Sequence, residues 1–351
     1  MIPAVSSRAT ELQPDDVVDG RYRIVRKLAD GGMGTVFLAE HLLIKRRVAI
    51  KRLHPELAHD HGMVQRFLQE AAAAGTLGHP HIVQSTDMGF ARDGTPYIVF
   101  EYLEGCLLIE EIVRLGRLPV RRAITIARQI ASALEAAHGA QIAHLDLKSD
   151  NVFLTDQGEA LDHAKLLDFG ISRFMAADPG HTQPRVLMGT PEFMAPEQVT
   201  APDQVDCRAD IYALGVLLYE MLTGHCPFSG ADSLALLDRI VWEAPPALDC
   251  LVPPALERLL FGGMLVKRRD ERIQTMREVN DALDEIAAGL TLSVPTALDG
   301  FDSEAVVPQD APMAATQPWE VESWFDDDDP RNELTHGGAV TPADWTVEVW
   351  P

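Results

Sequence analysis

Short apolar runs with polar residues interleaved recur through the first third of the chain. Tyr22-Arg-Ile-Val, Val36-Phe-Leu-Ala, Val48-Ala-Ile-Lys, Ile82-Val and Tyr97-Ile-Val-Phe have the alternation and β-branched content of strands. Between the third and fourth runs, the alanine-rich stretch Met63 to Leu77, which holds Glu70, predicts a helix. Beyond about residue 104 the period changes. Ile124, Ala127, Ile130, Ala131 and Leu134 recur at three and four, which predicts an amphipathic helix over Arg121 to His138. A second long helix is predicted from Arg208 to Thr223, stopped by Gly224 and Pro227. The chain therefore reads as α+β: a short polar extension over 1–20, a strand-rich lobe over 21–103 and a helical lobe over 104–289. A cleft between two lobes is a usual place for a ligand.

The texture changes again over 290–351. Residues 291–351 hold thirteen acids against one base, Arg331, with an unbroken acidic run from Asp326 to Asp329. Such a segment buries too little apolar surface to offset its ordering entropy, so a disordered tail is expected. Four of the five tryptophans lie in it, in a repeated Trp-x-Val-Glu-x-Trp hexad at Trp319–Trp324 and Trp345–Trp350. The hexads read as docking motifs for a partner, as segments that fold back on the preceding domain, or as remnants without a role. The whole chain of 351 residues carries 30 Lys and Arg against 53 Asp and Glu, a net charge of −23, which argues against nucleic-acid binding. The longest apolar candidate, Ile211 to Leu218, falls short of the ~18 residues of a membrane span. The amino terminus lacks the pattern of a secretory signal. Four scattered cysteines form no CxxC pair, and idle thiols in a reducing compartment are favoured over a disulfide framework or zinc ribbon. The expectation is a cytoplasmic protein with no membrane span.

Three segments carry chemistry. Leu28-Ala-Asp-Gly-Gly-Met-Gly-Thr-Val36 lies between two predicted strands, and Gly31, Gly32 and Gly34 would let backbone N–H groups approach an anion. Alone, it reads more readily as a tight turn than as an anion site. Val48-Ala-Ile-Lys51 ends an apolar strand on a lysine whose ammonium needs a partner; Glu70 is the candidate, and a structural ion pair is the plain alternative. His144-Leu-Asp-Leu-Lys-Ser-Asp-Asn151 and Asp168-Phe-Gly170 supply hard oxygen ligands and a proton acceptor. Lys148, two residues beyond Asp146, can neutralise charge on a moving phosphoryl group.

In this order and spacing, joined by Gly-Thr-Pro-Glu-Phe-Met-Ala-Pro-Glu197 and Asp210-Ile-Tyr-Ala-Leu-Gly215, the segments resemble the Hanks-type (eukaryotic-like) protein serine/threonine kinases, closest to the bacterial branch. The resemblance covers about residues 21–288. It implies the bilobal protein kinase-like fold and ATP-dependent phosphorylation of serine or threonine on protein substrates, with Mg2+ as the metal and Mn2+ as an alternative. It implies that Lys51 holds the α- and β-phosphates and is positioned by Glu70. Asn151 and Asp168 would hold Mg2+, Asp146 would accept the hydroxyl proton, and Lys148 would stabilise the transferred group. The phosphate loop would be Leu28, Ala29, Asp30, Gly31, Gly32, Met33, Gly34 and Val36. Leu28, Val36, Ala49 and Phe153 would wall the adenine, with hinge hydrogen bonds from Glu101 to Leu103 and Phe100 as gatekeeper. Arg272 matches the arginine that pairs with Glu197. The runner-up is a pseudokinase scaffold that binds nucleotide weakly and recruits partners through its tail.

Three positions depart from the family pattern. Ala29 stands for the first loop glycine, Ser149 for a proline, and Leu145 for the arginine before Asp146. In the family that arginine binds a phosphate on the activation loop. Leucine cannot, so activity without loop phosphorylation is expected, with Thr182 as the one plausible switch. The histidines at 54, 59, 61, 79 and 81 are read as packing or surface residues rather than a metal site.

Overall fold

The structure is a computed structural model and describes residues 12–157, 160–168, 173–174, 190–230 and 232–292. The tail with its tryptophan hexads, Thr182, and Phe169 and Gly170 lie outside the described residues.

Strands β1 (Val17–Val18), β2 (Tyr22–Asp30), β3 (Gly34–His41) and β4 (Arg47–Leu53) precede helix α1 (His61–Leu77), and β5 (Ser85–Phe90) and β6 (Pro96–Glu101) follow it. They form one antiparallel six-stranded sheet in the order β1-β2-β3-β4-β6-β5. The pleat sorts its apolar residues onto two faces. Tyr22, Ile24, Phe37, Ala39, Val48, Ile50, Tyr97 and Val99 make one cluster. Ile98 and Phe100 point the other way and pack with Leu53, Phe67, Ala71 and Ala74. Phe67, Ala71 and Ala74 recur at the spacing of one helix face, so α1 lies on the sheet by that stripe. Asp60 caps the helix, its carboxylate accepting from the N–H groups of Gly62 and Met63 at 2.7 and 3.2 Å.

Two details differ from the sequence reading. Ile82-Val83 is not a strand: Ile82 makes an isolated parallel bridge to Leu166. The strand there is β5, whose alternately exposed residues Ser-Thr-Asp-Met-Gly-Phe mark an edge and carry little apolar signal. The sheet also begins earlier, since Val17-Val18 pairs with Tyr22 and Arg23 and Val18 is buried in the core.

The second lobe contains β7 (Gly105–Leu107), α2 (Leu108–Leu115), α3 (Val120–Gly139), β8 (Ile142–Ala143), β9 (Val152–Gln157), β10 (Ala160–Leu166), β11 (Arg173–Phe174), α4 (Pro196–Thr200), α5 (Arg208–Thr223), α6 (Ser233–Trp242), α7 (Pro254–Leu259) and α8 (Met276–Leu292). Helix α5 is buried from Ala209 to Thr223. A helix apolar on all sides belongs in a core or a membrane; this one is the centre of the lobe, with α3 and α8 packed around it. It stops at Gly224, whose φ of +85° and 1.9 Å clearance from a built Cβ to the Gly116 carbonyl exclude any side chain.

Arg272 fastens the lobe. Its side chain is fully buried, and its two terminal nitrogens meet the Glu197 carboxylate at 2.7 and 2.9 Å. It also donates to the carbonyls of Arg208 and Val266 at 2.6 and 3.1 Å. Removing one partner of such a pair strands the other charge in the interior. Arg272→Leu is therefore expected to destabilise folding by about 3–5 kcal/mol, measured as a fall in the denaturant midpoint of unfolding.

Candidate active site

Lys51 lies on β4 with Val36 and Ile98 as its cross-strand neighbours, and only 8% of its surface is exposed. An ammonium at that depth requires anionic partners. It has two, Glu70 Oε1 at 2.9 Å and Asp168 Oδ1 at 2.9 Å. Glu70 reaches it because position 70 lies on the sheet-facing stripe of α1, three residues after Phe67. Asp168 arrives from the other lobe, just past β10, with a left-handed φ of +36°. Burial pushes the Glu70 carboxyl above its ordinary value, with Lys51 opposing. Burial pulls the same way on Asp168 and is the largest single influence there, but the Lys51 charge and the hydrogen bonds from Glu70 and Lys51 together hold that carboxyl below the usual range.

The loop from His144 to Asn151 is held by a buried acid on α5. Asp210 accepts from the backbone N–H groups of His144 and Leu145, at 2.8 Å each, and faces His138 Nε2 at 2.8 Å. Those bonds hold Leu145 at a φ of +63°, a conformation a leucine does not adopt unless its surroundings impose it. The His144 ring accepts from the Asp146 N–H at 3.3 Å, so its other nitrogen donates to the Leu167 carbonyl, 3.2 Å away. One imidazole thus ties the loop to the segment leading into Asp168. The Asn151 amide nitrogen donates to the Asp146 carbonyl at 2.8 Å and to Asp146 Oδ2 at 3.2 Å. Lys148 Nζ donates to Thr190 Oγ1 at 2.8 Å.

This arrangement leaves the amide oxygen of Asn151, clear of the groups that its nitrogen bonds, and the carboxylate of Asp168 as hard oxygen donors. That set could hold a Mg2+ ion. Above it, Val36 and Ala49 are half-buried on adjoining strands, and Ala49 and Leu103 pack against the cluster that contains Phe100. Leu28 is half-buried at the end of the same sheet, and Phe153 is half-buried on β9, paired with Leu107 beyond the hinge. Glu101 is fixed at the hinge by Lys165 Nζ and the Gln84 N–H, at 2.6 and 2.9 Å from its Oε1.

The glycine-rich turn is more constrained than its sequence implies. Ala29 and Asp30 belong to β2, opposite Val36 and Thr35. The Asp30 carboxylate is engaged by Lys27 at 2.5 Å and Thr35 at 2.7 Å, and Met33 packs on the cluster under α1. Both therefore offer a ligand their backbone only. Gly34 is required by β4, because a Cβ there would lie 2.2 Å from the Arg52 carbonyl. His54, read as a packing or surface residue, pins the turn: its Nε2 donates to the Gly31 carbonyl at 2.7 Å and its N–H to that of Met33 at 2.9 Å.

Sequence reading passed over the work of Asp210 and His54. A carboxylate near the start of a largely apolar helix was a legible sign of a buried anchor. Nothing local marks this role of His54, whose partners in the turn, Gly31 and Met33, lie more than twenty residues away. Ser149 and Leu145, the two departures in the loop, are respectively buried and packed against the large-lobe core.

Among the described residues no helix is long and apolar enough to cross a membrane. Comparison with known proteins gives a consistent picture. Residues 22–280 match the protein kinase domain. The chain is 38% identical over 306 residues to the serine/threonine-protein kinase pkn2 of Myxococcus xanthus, covering 85% of this chain and 36% of that protein. It is 37% identical over 247 residues to the serine/threonine-protein kinase PrkC of Bacillus subtilis, covering 70% and 37%. The chain thus spans little more than a third of the length of these relatives. The crystal structure of the PknI kinase domain of Mycobacterium tuberculosis superposes with a TM-score of 0.61 at 29% identity, covering 79% of this chain and all of that one. With the domain match running across both lobes, this chain belongs to the Hanks-type protein kinase family, on its bacterial serine/threonine branch.

Proposed function

We propose that this chain transfers the γ-phosphate of ATP to serine and threonine hydroxyls of protein substrates. The observation that carries the reading is the double ion pair of Lys51, which brings Glu70 of the small lobe and Asp168 of the large lobe to one ammonium at 2.9 Å each. Lys51 would meet the α- and β-phosphates, with the backbone of Gly31 to Gly34 over them and Leu28, Val36, Ala49 and Phe153 around the base. Asp168 and Asn151 would hold Mg2+, which when bound neutralises charge on the phosphate oxygens. Asp146, steadied by Asn151, accepts the proton of the attacking hydroxyl as the new P–O bond forms and the bond to the β-phosphate oxygen breaks. Lys148 supplies positive charge to the moving group, and its bond to Thr190 ties it to the Gly-Thr-Pro segment.

The scaffold alternative fits less well. A scaffold has no need to keep Lys51, Asp146, Asn151 and Asp168 together, nor to build the Lys51–Glu70 pair. Asp146→Asn is expected to lower incorporation of labelled phosphate into a generic basic protein by on the order of 10²–10⁴-fold with the fold intact by circular dichroism. Undiminished labelling by that variant would remove the proposal.

We infer further that loop phosphorylation is not needed. An arginine at position 145 would present a guanidinium to a phosphothreonine; Leu145 instead packs on the core. Purified Thr182→Ala protein is expected to keep most of the wild-type rate. A rate restored only by a phosphate at residue 182 would show that another cation has taken the arginine's place.

A further inference from the structure

The loop His79–Val83, which leaves α1 and enters β5, is stitched to β10 of the other lobe. The Leu166 N–H donates to the His81 carbonyl and the Val83 N–H to the Leu166 carbonyl, both at 2.9 Å. Three half-buried imidazoles line this seam. The His79 and His81 rings are 5.6 Å apart and those of His81 and His163 4.6 Å. Their partners fix where each neutral ring carries its proton. His81 Nδ1 donates to the Ala164 carbonyl at 2.8 Å, and His163 Nε2 to that of Pro80 at 3.2 Å. His79 Nδ1 accepts from the His81 N–H, and its Nε2 faces Ser132 Oγ of α3, both at 3.2 Å.

The charged groups around the rings offer no compensation for a proton. Lys165, on β10, adds a like charge and its own partner is Glu101. Asp162, beside His163 in the chain, is held by Arg122 at 2.7 and 2.6 Å, and α3 presents the neutral Ser132 and Gln129. Among the described residues no carboxylate bonds any of the three rings.

We propose that the His79–His81–His163 stack is an acid-sensitive joint between the lobes, closed when the rings are neutral and loosened when neighbouring rings are charged. The seam separates Glu70, at the start of this connection through α1, from Asp168, two residues past Leu166. Loosening it moves the two carboxylates that share Lys51, so the device regulates the kinase site proposed above and, in its activity arm, rests on that reading. Burial holds His81 and His79 below the ordinary histidine range, in keeping with rings that stay neutral while the seam is closed. The sign follows. Unfolded histidines titrate near ~6.5, and a base whose folded form binds protons less readily stabilises the fold fully above that pH and loses the contribution as pH falls below it.

The test compares full-length wild type with His81→Gln/His163→Gln between pH 7.5 and 5.5, reading melting temperature and labelled-phosphate transfer. Wild type is expected to lose both as the pH falls, with transfer down on the order of tenfold. The double variant should match wild type at pH 7.5 and show at most half of each loss at pH 5.5. Equal pH slopes of melting temperature in the two proteins would overturn the proposal, whatever the activity does. Absent transfer in both proteins with unequal melting slopes would sink the kinase reading and leave the joint standing. Should the double variant not fold, a proton NMR titration of the wild-type imidazoles decides. Linked titration of ring signals below pH ~6.5 supports the joint, and twelve histidines titrating independently near that value overturn it.

Discussion

The ammonium of Lys51 is the group that the rest of the cleft accommodates. A lysine of which 8% is exposed cannot keep its charge without anions at contact distance, and the two it has come from different lobes. Each depends on a separate stretch of chain: Glu70 on a helix laid against the sheet by Phe67, Ala71 and Ala74, Asp168 on the segment just past β10, the strand whose Leu166 is bound to the loop His79–Val83. The ion pairs therefore report whether the lobes are aligned. Alignment is also what the proposed phosphoryl transfer would require, since such catalysis is placement and charge more than covalent chemistry.

The floor of the cleft has a second buried anchor. Asp210 replaces water for two backbone N–H groups and in doing so imposes a left-handed turn on Leu145. The side chain at 145 can vary because the backbone, not the side chain, is what Asp210 holds. That explains how a leucine can stand in the family's arginine position with the Asp146–Asn151 geometry in place: the loop's shape and its coupling to a phosphate are separate functions, and only the second needs the guanidinium.

Much was legible beforehand because it is local. The alternation in Tyr22–Val25 and Val36–Ala39, the three-and-four repeat of α3 and the limits of α5 from Arg208 to Thr223 all follow from side-chain periodicity and from Gly224. The motif order pointed to the family, and the structure brings Lys51, Glu70 and Asp168 together. The misreading at Ile82-Val83 has an equally local cause: two apolar residues buried by contacts with β10 look like a strand, whereas the true edge strand, Ser85–Phe90, shows half its residues to solvent.

The sequence by itself determined the periodicity of the elements, the division into lobes and the residue types available for phosphate chemistry, since each is written within a few turns of helix or strand. Only the tertiary structure decided which carboxylates share the Lys51 ammonium and that Asp30 is already engaged by Lys27 and Thr35. It alone decided, too, that Gly34 answers to the Arg52 carbonyl, that His54 pins the glycine turn, and that three histidines meet across a seam. The reason is physical. Each of these depends on approach between atoms distant along the chain or across the sheet, and burial and distance, which set their energies, are properties of the packed molecule.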